Sequence, residues 1–327
     1  MVAIEVSNHA VERALRLCAE SSPVAAPRAA AVLAVLLQNI ENSMWQEVKW
    51  NFSRLTGDGY PVEFAFSSAS ETISYAAEFD APEIANAKRL QIAEKLLHRL
   101  GTNSLPPQIV EQLQQIQQSG DLLYGAWLGG RHEAAGDSYK IYLEVPKNNL
   151  AAAANFARSF VGNSLPPDKC RAQLRMLGYD PSAQRTELYF RTENLEICEI
   201  NSIMRRFDLS SRSSDLLEFV RQIGERTFSD DFLPSNAGLS IAFSADKTPL
   251  AISLFAFARS IFRGGDDVIR RALLQHGERA GWKLQNYEKV SAPLAQRAGW
   301  QTFHGMIAFT VTRENAPTLQ IGLRPPD

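Results

Sequence analysis

Tyr139-Lys140-Ile141-Tyr142-Leu143-Glu144-Val145 changes character at every step: Tyr139, Ile141, Leu143 and Val145 form one set of side chains, Lys140, Tyr142 and Glu144 the other. A period of two is the period of a strand, so the two sets point to opposite faces of a sheet. Just upstream, a second strand signal runs from Gly125 to Glu133, and before it helix-period segments run from Ala85 to Leu100 and from Pro107 to Gln118. The same order appears on both sides of this unit. Residues 8 to 42 read as helix interrupted at Pro23 and Pro27; Val48, Trp50 and Phe52 then alternate with polar neighbours, Gly57-Asp58-Gly59 makes a turn, and Val62, Phe64 and Phe66 alternate in turn, with a further strand from Thr72 to Phe79. Downstream, helix 150–161 precedes strands 171–177 and 185–191, helices 196–207 and 215–227 precede strands 238–244 and 251–259, and helix 266–280 precedes strands 304–312 and 319–324.

Five successive units of helix followed by strands, each of roughly fifty to sixty residues, are the mark of a repeat architecture, so residues 1–327 are expected to form a single domain. Asn103-Ser104-Leu105-Pro106-Pro107 and Asn163-Ser164-Leu165-Pro166-Pro167 share a pentapeptide at matching positions between units. Strands joined by short turns pair antiparallel, and ten or more in one sheet tend to curl or close. The expected fold is α+β: a closed antiparallel barrel ringed by helices.

The other strands carry the same two faces. Thr186, Leu188 and Phe190 oppose Arg185, Glu187, Tyr189 and Arg191; Leu239, Ile241 and Phe243 oppose Gly238, Ser240, Ala242 and Ser244; Leu319, Ile321 and Leu323 oppose Thr318, Gln320, Gly322 and Arg324. Such alternation also describes an open sheet with one solvated face. Against that reading, the helical segments need an apolar sheet face to cover, and the polar set includes Tyr142, Tyr189 and Trp127 beside Lys140, Arg185, Arg131 and Arg175. With helices outside, these side chains line a lumen suited to a polyanion with an apolar tail.

Composition narrows the function. Lys plus Arg number 34 against 36 Asp plus Glu, a net charge of -2, so no broad attraction to nucleic acid or anionic membrane is expected and any anion site is local. Cys18, Cys170 and Cys198 are odd in number and far apart, which argues against a disulfide framework or a structural zinc. The first segment is amphipathic and lacks the apolar core of a signal peptide, so a cytoplasmic location is expected.

A prenyl diphosphate that ionises leaves an allylic cation and a pyrophosphate. Arginine and lysine suit the departing anion, whereas aromatic faces attract the cation and exclude water. Lys140 with Tyr142, and Arg185 with Tyr189, put both functions on one face of two strands. Here a resemblance enters. Tyr139-Lys140-Ile141-Tyr142-Leu143-Glu144-Val145-Pro146 resembles the Lys-x-Tyr strand of the dimethylallyltryptophan synthase family and its bacterial ABBA relatives, Arg185-Thr186-Glu187-Leu188-Tyr189 resembles the next repeat's Arg-x-Lys-x-Tyr strand, and Gly57-Asp58-Gly59-Tyr60-Pro61-Val62-Glu63-Phe64 resembles the stretch with that family's glutamate. The resemblance implies a ten-stranded barrel of five ααββ units that transfers a prenyl group to an electron-rich aromatic acceptor. It implies that Lys140 and Arg185 hold the diphosphate, that Tyr142 and Tyr189 shield the cation, and that Glu63 faces the acceptor, with Trp127 and Phe255 in the acceptor pocket. The sequence departs from the family at Glu187, where the fungal enzymes have a second lysine, at Ser74 or Tyr75 in place of an arginine, and at Ser253 and Phe255 in place of Gln and Tyr. Arg131, Arg175, Arg259 and Arg324 are the candidates to replace the missing cations.

No DDxxD pair is present: Asp230-Asp231 is followed by Phe-Leu-Pro and Asp266-Asp267 by Val-Ile-Arg. No cofactor and no magnesium requirement are therefore expected. GxxxxGK[ST], HExxH and GxSxG are also absent, Gly129-Gly130 and Gly264-Gly265 read as turn or bulge glycines, and His304 reads as structural. Expected partners are a prenyl diphosphate and an aromatic acceptor, with the chain a monomer or weak homodimer. Two alternatives stand: a prenyltransferase acting on a cyclic peptide, and a non-catalytic barrel for a phosphorylated or lipid-like ligand, which would need the cations but not Glu63.

Overall fold

The computed structural model describes residues 8–103, 105–118, 120–148, 150–161, 172–192, 195–223, 237–262 and 264–327. The chain begins with helices α1 (His9–Ala19) and α2 (Ala25–Glu41). Pro23 separates them, while Pro27 lies in the first turn of α2, where a missing amide donor costs nothing. Asn8 caps α1 by accepting from the Ala10 and Val11 amides.

Strands β1 (Val62–Ser67) and β2 (Ile73–Ala77) follow. Then come α3 (Arg89–Arg99), α4 (Pro107–Gln117), β3 (Ala126–Glu133) and β4 (Gly136–Glu144). The third unit is α5 (Leu150–Val161), β5 (Gln173–Asp180) and β6 (Arg185–Arg191), and the fourth is α6 (Ile197–Arg206), α7 (Ser213–Ile223), β7 (Gly238–Phe243) and β8 (Pro249–Phe257). The fifth holds α8 (Ala258–Ile261), α9 (Asp266–Ala280), α10 (Gln285–Val290), β9 (His304–Thr312) and β10 (Thr318–Leu323).

Every strand pairs antiparallel with its neighbour in sequence, and β1 pairs with β10, with Phe64 opposite Leu323 and Ser67 opposite Gln320. The sheet is a closed ten-stranded barrel. The five hairpin connections lie at one end and the helical crossings at the other. Alternation decides which face is which: in β1, Val62, Phe64 and Phe66 are buried against the helices, whereas Glu63, Ala65 and Ser67 face the lumen. Burying each such phenylalanine contributes ~1.5–3 kcal/mol. Phe66 meets Tyr287 of α10 at 5.7 Å between ring centres, and Phe309 of β9 meets Phe219 of α7 at 5.8 Å.

Two similar polar clasps tie outward strand positions to the helices. In one, His304 on β9 takes the Tyr287 hydroxyl at Nε2 (2.8 Å) and gives Nδ1–H to Asp266 (2.6 Å), which also meets Arg297 at 3.2 Å. In the other, His132 on β3 meets Tyr75 at 3.1 Å and Asp137 at 2.9 Å, and Asp137 meets Arg28 of α2 at 2.9 Å. Burial lowers the pKa of both histidines, so each sits neutral within its clasp. The structural reading of His304 agrees with this.

Several sequence expectations are corrected. Val48 to Ser53 forms turns and bends, not a strand, because Trp50 stacks on Tyr60 at 5.9 Å and Phe52 lies 5.8 Å under the Arg89 guanidinium, so both aromatics pack in a connection that leads into β1. Gly129 and Gly130 lie within β3 and not in a turn. Strand β8 ends at Phe257, which leaves Arg259 in α8, and β10 ends at Leu323, just before Arg324. Cys170, the second copy of the pentapeptide and Asp230-Asp231 lie outside the described residues.

Candidate active site

The lumen wall formed by β4, β5, β6, β7 and β8 is charged and aromatic. Strand parity turns Lys140 and Tyr142 of β4 and Arg185, Glu187 and Tyr189 of β6 inward, and Gly178 of β5, lying between them, supplies the room. A Cβ at Gly178 would collide with the Lys140 side chain and come within 3.2 Å of the Tyr189 ring. Lys140 Nζ pairs with Glu187, donates to the Tyr189 hydroxyl at 2.7 Å, and lies 4.9 Å and 5.1 Å from the ring centres of Tyr142 and Tyr189. The ammonium thus lies within cation–π distance of Tyr142 and is hydrogen-bonded at the hydroxyl edge of Tyr189. Tyr189 continues the aromatic run to Phe255 of β8, 6.1 Å away.

Glu187 joins the charges on this wall. It lies 3.9 Å from Arg185 and accepts from the Ser240 hydroxyl of β7 at 2.6 Å. Burial alone would raise its pKa, but Lys140 and Arg185 outweigh burial and hold the carboxyl at about 2.

The opposite wall is built differently. Glu63 of β1 stands on a floor of two glycines: a Cβ at Gly305 would collide with its carboxyl oxygen, and one at Gly322 would lie 2.9 Å from its carboxyl carbon. Among the described residues it has no ion pair; burial inside the barrel pushes its carboxyl up to about 8, moderated by a hydrogen bond from the Met306 backbone. The partner of Glu63 on β2 is Ala76, and the next inward residue on β1 is Ala65. Register carries Glu63 to Ala76, Ala76 to Gly129, and Gly129 to Lys140, so Glu63 and Lys140 lie in one row of paired residues, with the Tyr142 ring over Gly129 beside Lys140. Three strand spacings make that separation roughly 14 Å along the wall.

Trp127 of β3 faces inward and stacks on Tyr124 at 3.8 Å between ring centres. The turn that places Tyr124 is held by Glu144, whose carboxylate accepts from the amides of Leu123, Tyr124 and Gly125 at 2.9, 2.7 and 2.8 Å.

The candidate arginines do not converge on Lys140. Arg131 lies at the hairpin end, more than half exposed, and pairs with Glu133 at 2.6 Å. Arg175 lies at the other end in the β5 bulge, donates to Gln173, and has its pKa lowered by burial and by Arg191. Arg259 stacks on Phe257 in α8. Arg324 pairs with Asp58 at 2.9 Å and lies between the rings of Tyr60 and Phe303, 4.4 and 4.2 Å from their centres. Sequence reasoning put Ser240 and Gly322 on the inward face without a role, and missed Gly178 and Gly305. The signal for the glycines was a glycine inside a strand, which marks a close approach.

No family model matches the chain, and no curated protein matches it. Solved structures do. The apo form of the prenyltransferase PriB superposes with a TM-score of 0.75 at 18% identity over 97% of both chains. The 5-dimethylallyltryptophan synthase from Streptomyces coelicolor gives 0.74 at 15% over 98% of both chains. The 6-dimethylallyltryptophan synthase from Micromonospora olivasterospora, in complex with DMASPP and Trp, gives 0.74 at 16% over 97% of this chain and 96% of that one. Closed ten-stranded antiparallel barrel, helical ring and coverage agree, and the chain has the fold of the ABBA prenyltransferases.

Proposed function

We propose that the protein is an aromatic prenyltransferase that moves a dimethylallyl or longer prenyl group from its diphosphate to an electron-rich ring, an indole or phenol. The carrying observation is the pairing, within one closed lumen, of a cation at Lys140 set beside Tyr142 and Tyr189 with a carboxyl at Glu63 that burial pushes up, three strands away in the same row. In this reading the allylic C–O bond breaks with both electrons going to the oxygen, and Lys140 and Arg185 stabilise the departing anion. Tyr142 and Tyr189 face the allylic cation and keep water from it. The ring's π electrons form the new C–C bond, and the ring then loses a proton to Glu63. Structures similar to this one include PriB with L-tryptophan and dimethylallyl thiolodiphosphate, which supports an indole as the first acceptor to try.

The chain's own cations carry the leaving group in this reading, so no divalent metal is required. A cytoplasmic location and a monomeric or weakly dimeric state belong to the same proposal; no helix among the described residues is long and apolar enough to cross a membrane. The test is incubation with dimethylallyl diphosphate and a panel of indoles, phenols and cyclic peptides, read by mass spectrometry. Prenylated indole or phenol supports the proposal, product only from peptides supports the cyclic-peptide alternative, and no product from any acceptor overturns both.

A further inference from the structure

Asp266 is fully buried at the start of α9. Its carboxylate accepts from the backbone amides of Phe303 at 3.0 Å and His304 at 3.2 Å, takes His304 Nδ1–H at 2.6 Å and meets Arg297 at 3.2 Å. Burying a carboxylate is costly unless donors of this kind surround it. Two of these donors are main-chain groups, so the bonds fix backbone as well as side chains. The Phe303 carbonyl in turn accepts from the Arg324 amide at 2.9 Å, which ties the same segment to the end of β10. The next two residues are the ones that touch Glu63: Gly305 lies against its carboxyl, where a Cβ would collide, and the Met306 backbone donates a hydrogen bond to it. The second clasp offers a contrast, for Asp137 meets the side chains of Arg28 and His132.

We infer that Asp266 is a positioning residue for Glu63: by gripping the backbone at Phe303 and His304 it sets Gly305 and Met306 against the Glu63 carboxyl and holds that carboxyl where the acceptor is met. The grip comes from outside the barrel, through two residues of β9, and Asp266 itself touches no substrate. This rests on the role given to Glu63 in the proposed function, but the seating of the carboxyl can be read without turnover, which separates the two.

Carboxyl NMR of the full chain carrying labelled glutamate follows Glu63, assigned by its loss in Glu63→Gln, through a pH titration. No charged group pairs with Glu63 among the described residues, and His304 and Arg297 face Asp266 with Arg270 beyond His304, so burial and the Met306 hydrogen bond set the Glu63 midpoint. Asp266→Ala frees the segment. Burial is the larger of the two causes, so admitting water outweighs losing Met306, and the midpoint falls from about 8 toward the ordinary carboxylate range. The kcat for prenyl transfer falls at least about tenfold, with prenyl diphosphate affinity unchanged. In a Glu63→Gln background the same substitution causes no further fall, since no proton-accepting carboxyl is left to misplace. Asp266→Asn keeps one acceptor oxygen, gives a smaller change of the same sign, and carries the test if Asp266→Ala does not fold. Asp137→Ala lowers the melting temperature and leaves the Glu63 midpoint and kcat alone. A midpoint unmoved by the Asp266 variants, a wild-type kcat, an equal loss in the Glu63→Gln background, or the same midpoint change in Asp137→Ala would each overturn the inference. A moved midpoint in a protein that makes no prenylated product leaves the positioning intact and removes the proposed function; product with an unmoved midpoint does the reverse.

Discussion

Glu187 and Glu63 are two carboxylates in one lumen, and their environments push them in opposite directions. Glu187 touches Lys140, Arg185 and Ser240 and is held at about 2; Glu63 faces glycines and small side chains, with no ion pair among the described residues, and is pushed up to about 8. In the proposed function this difference divides the work of one barrel. A carboxylate committed to a cation organises charge, while one left without a cation keeps a proton near neutral pH and can exchange it. The wall decides which role each has.

The largest expected effect tests the proton-exchanging side. Glu63→Gln should lower prenyl transfer by ~100-fold to 10,000-fold while leaving the affinity for the prenyl diphosphate unchanged, measured as kcat against donor binding. If Glu63 takes the proton, wild-type activity rises as pH climbs through about 8, and Glu63→Gln loses that limb. Full activity in the variant would end the distinction between the two carboxylates.

Gly305→Ala sharpens the comparison without touching a charge. The added methyl collides with the Glu63 carboxyl and displaces it, so transfer should fall about tenfold to a hundredfold with little change in fold, since misplacing a reacting group by about 1 Å can cost that much. A Gly305→Ala enzyme with wild-type kcat would show that the position of Glu63 is immaterial.

Lys140→Ala probes the committed side. It leaves Glu187 partly buried beside Arg185 alone, and should destabilise the barrel by about 2–3 kcal/mol, less than for a fully buried pair because Lys140 keeps 21% of its side-chain surface exposed. Denaturant unfolding measures it. Removing both Lys140 and Glu187 charges should restore much of the loss.

The two carboxyls also differ in the pH dependence of stability. For Glu63 the folded pKa lies above the unfolded value, so the native state holds a proton that the unfolded chain releases. Its contribution is complete below about 4.5 and is lost as pH rises through about 8. Glu63→Gln should therefore gain ~1–2 kcal/mol over wild type at alkaline pH and nothing in acid, a discounted figure because the side chain borders the lumen. For Glu187 the sign is reversed: its contribution is present above about 4.5 and lost as pH falls toward 2. Thermal melts across pH distinguish the two. The smallest expected effect is none at all: a chelator should leave prenyl transfer unchanged, and a complete loss restored by magnesium would show that Lys140 and Arg185 do not carry the leaving group.

Much of this molecule was legible in the chain. The period-two pattern of Tyr139 to Val145, repeated in every unit, determined which side chains face inward, because parity in a strand is a local property set by the backbone. Closure was legible for a related reason: successive hairpins separated by helices leave few other ways to cover one apolar face. The strand misread at Val48 to Ser53 shows where local pattern fails. Trp50 and Phe52 alternate as strand residues do, but Tyr60 and Arg89 take up their rings.

What the tertiary structure decided is which inward side chains meet. Lys140 and Glu187 are 47 residues apart, Glu187 and Ser240 are 53 apart, and Glu63 reaches Gly305 only because β1 lies against β10 and β10 against β9. Sequence placed Arg131, Arg175, Arg259 and Arg324 among the candidates on parity and charge, yet their neighbours Glu133, Gln173, Phe257 and Asp58 occupy them at the two ends of the barrel. Side-chain direction is written into two adjacent residues; the partner a charge finds, and so the pKa it takes, depends on how the whole sheet closes.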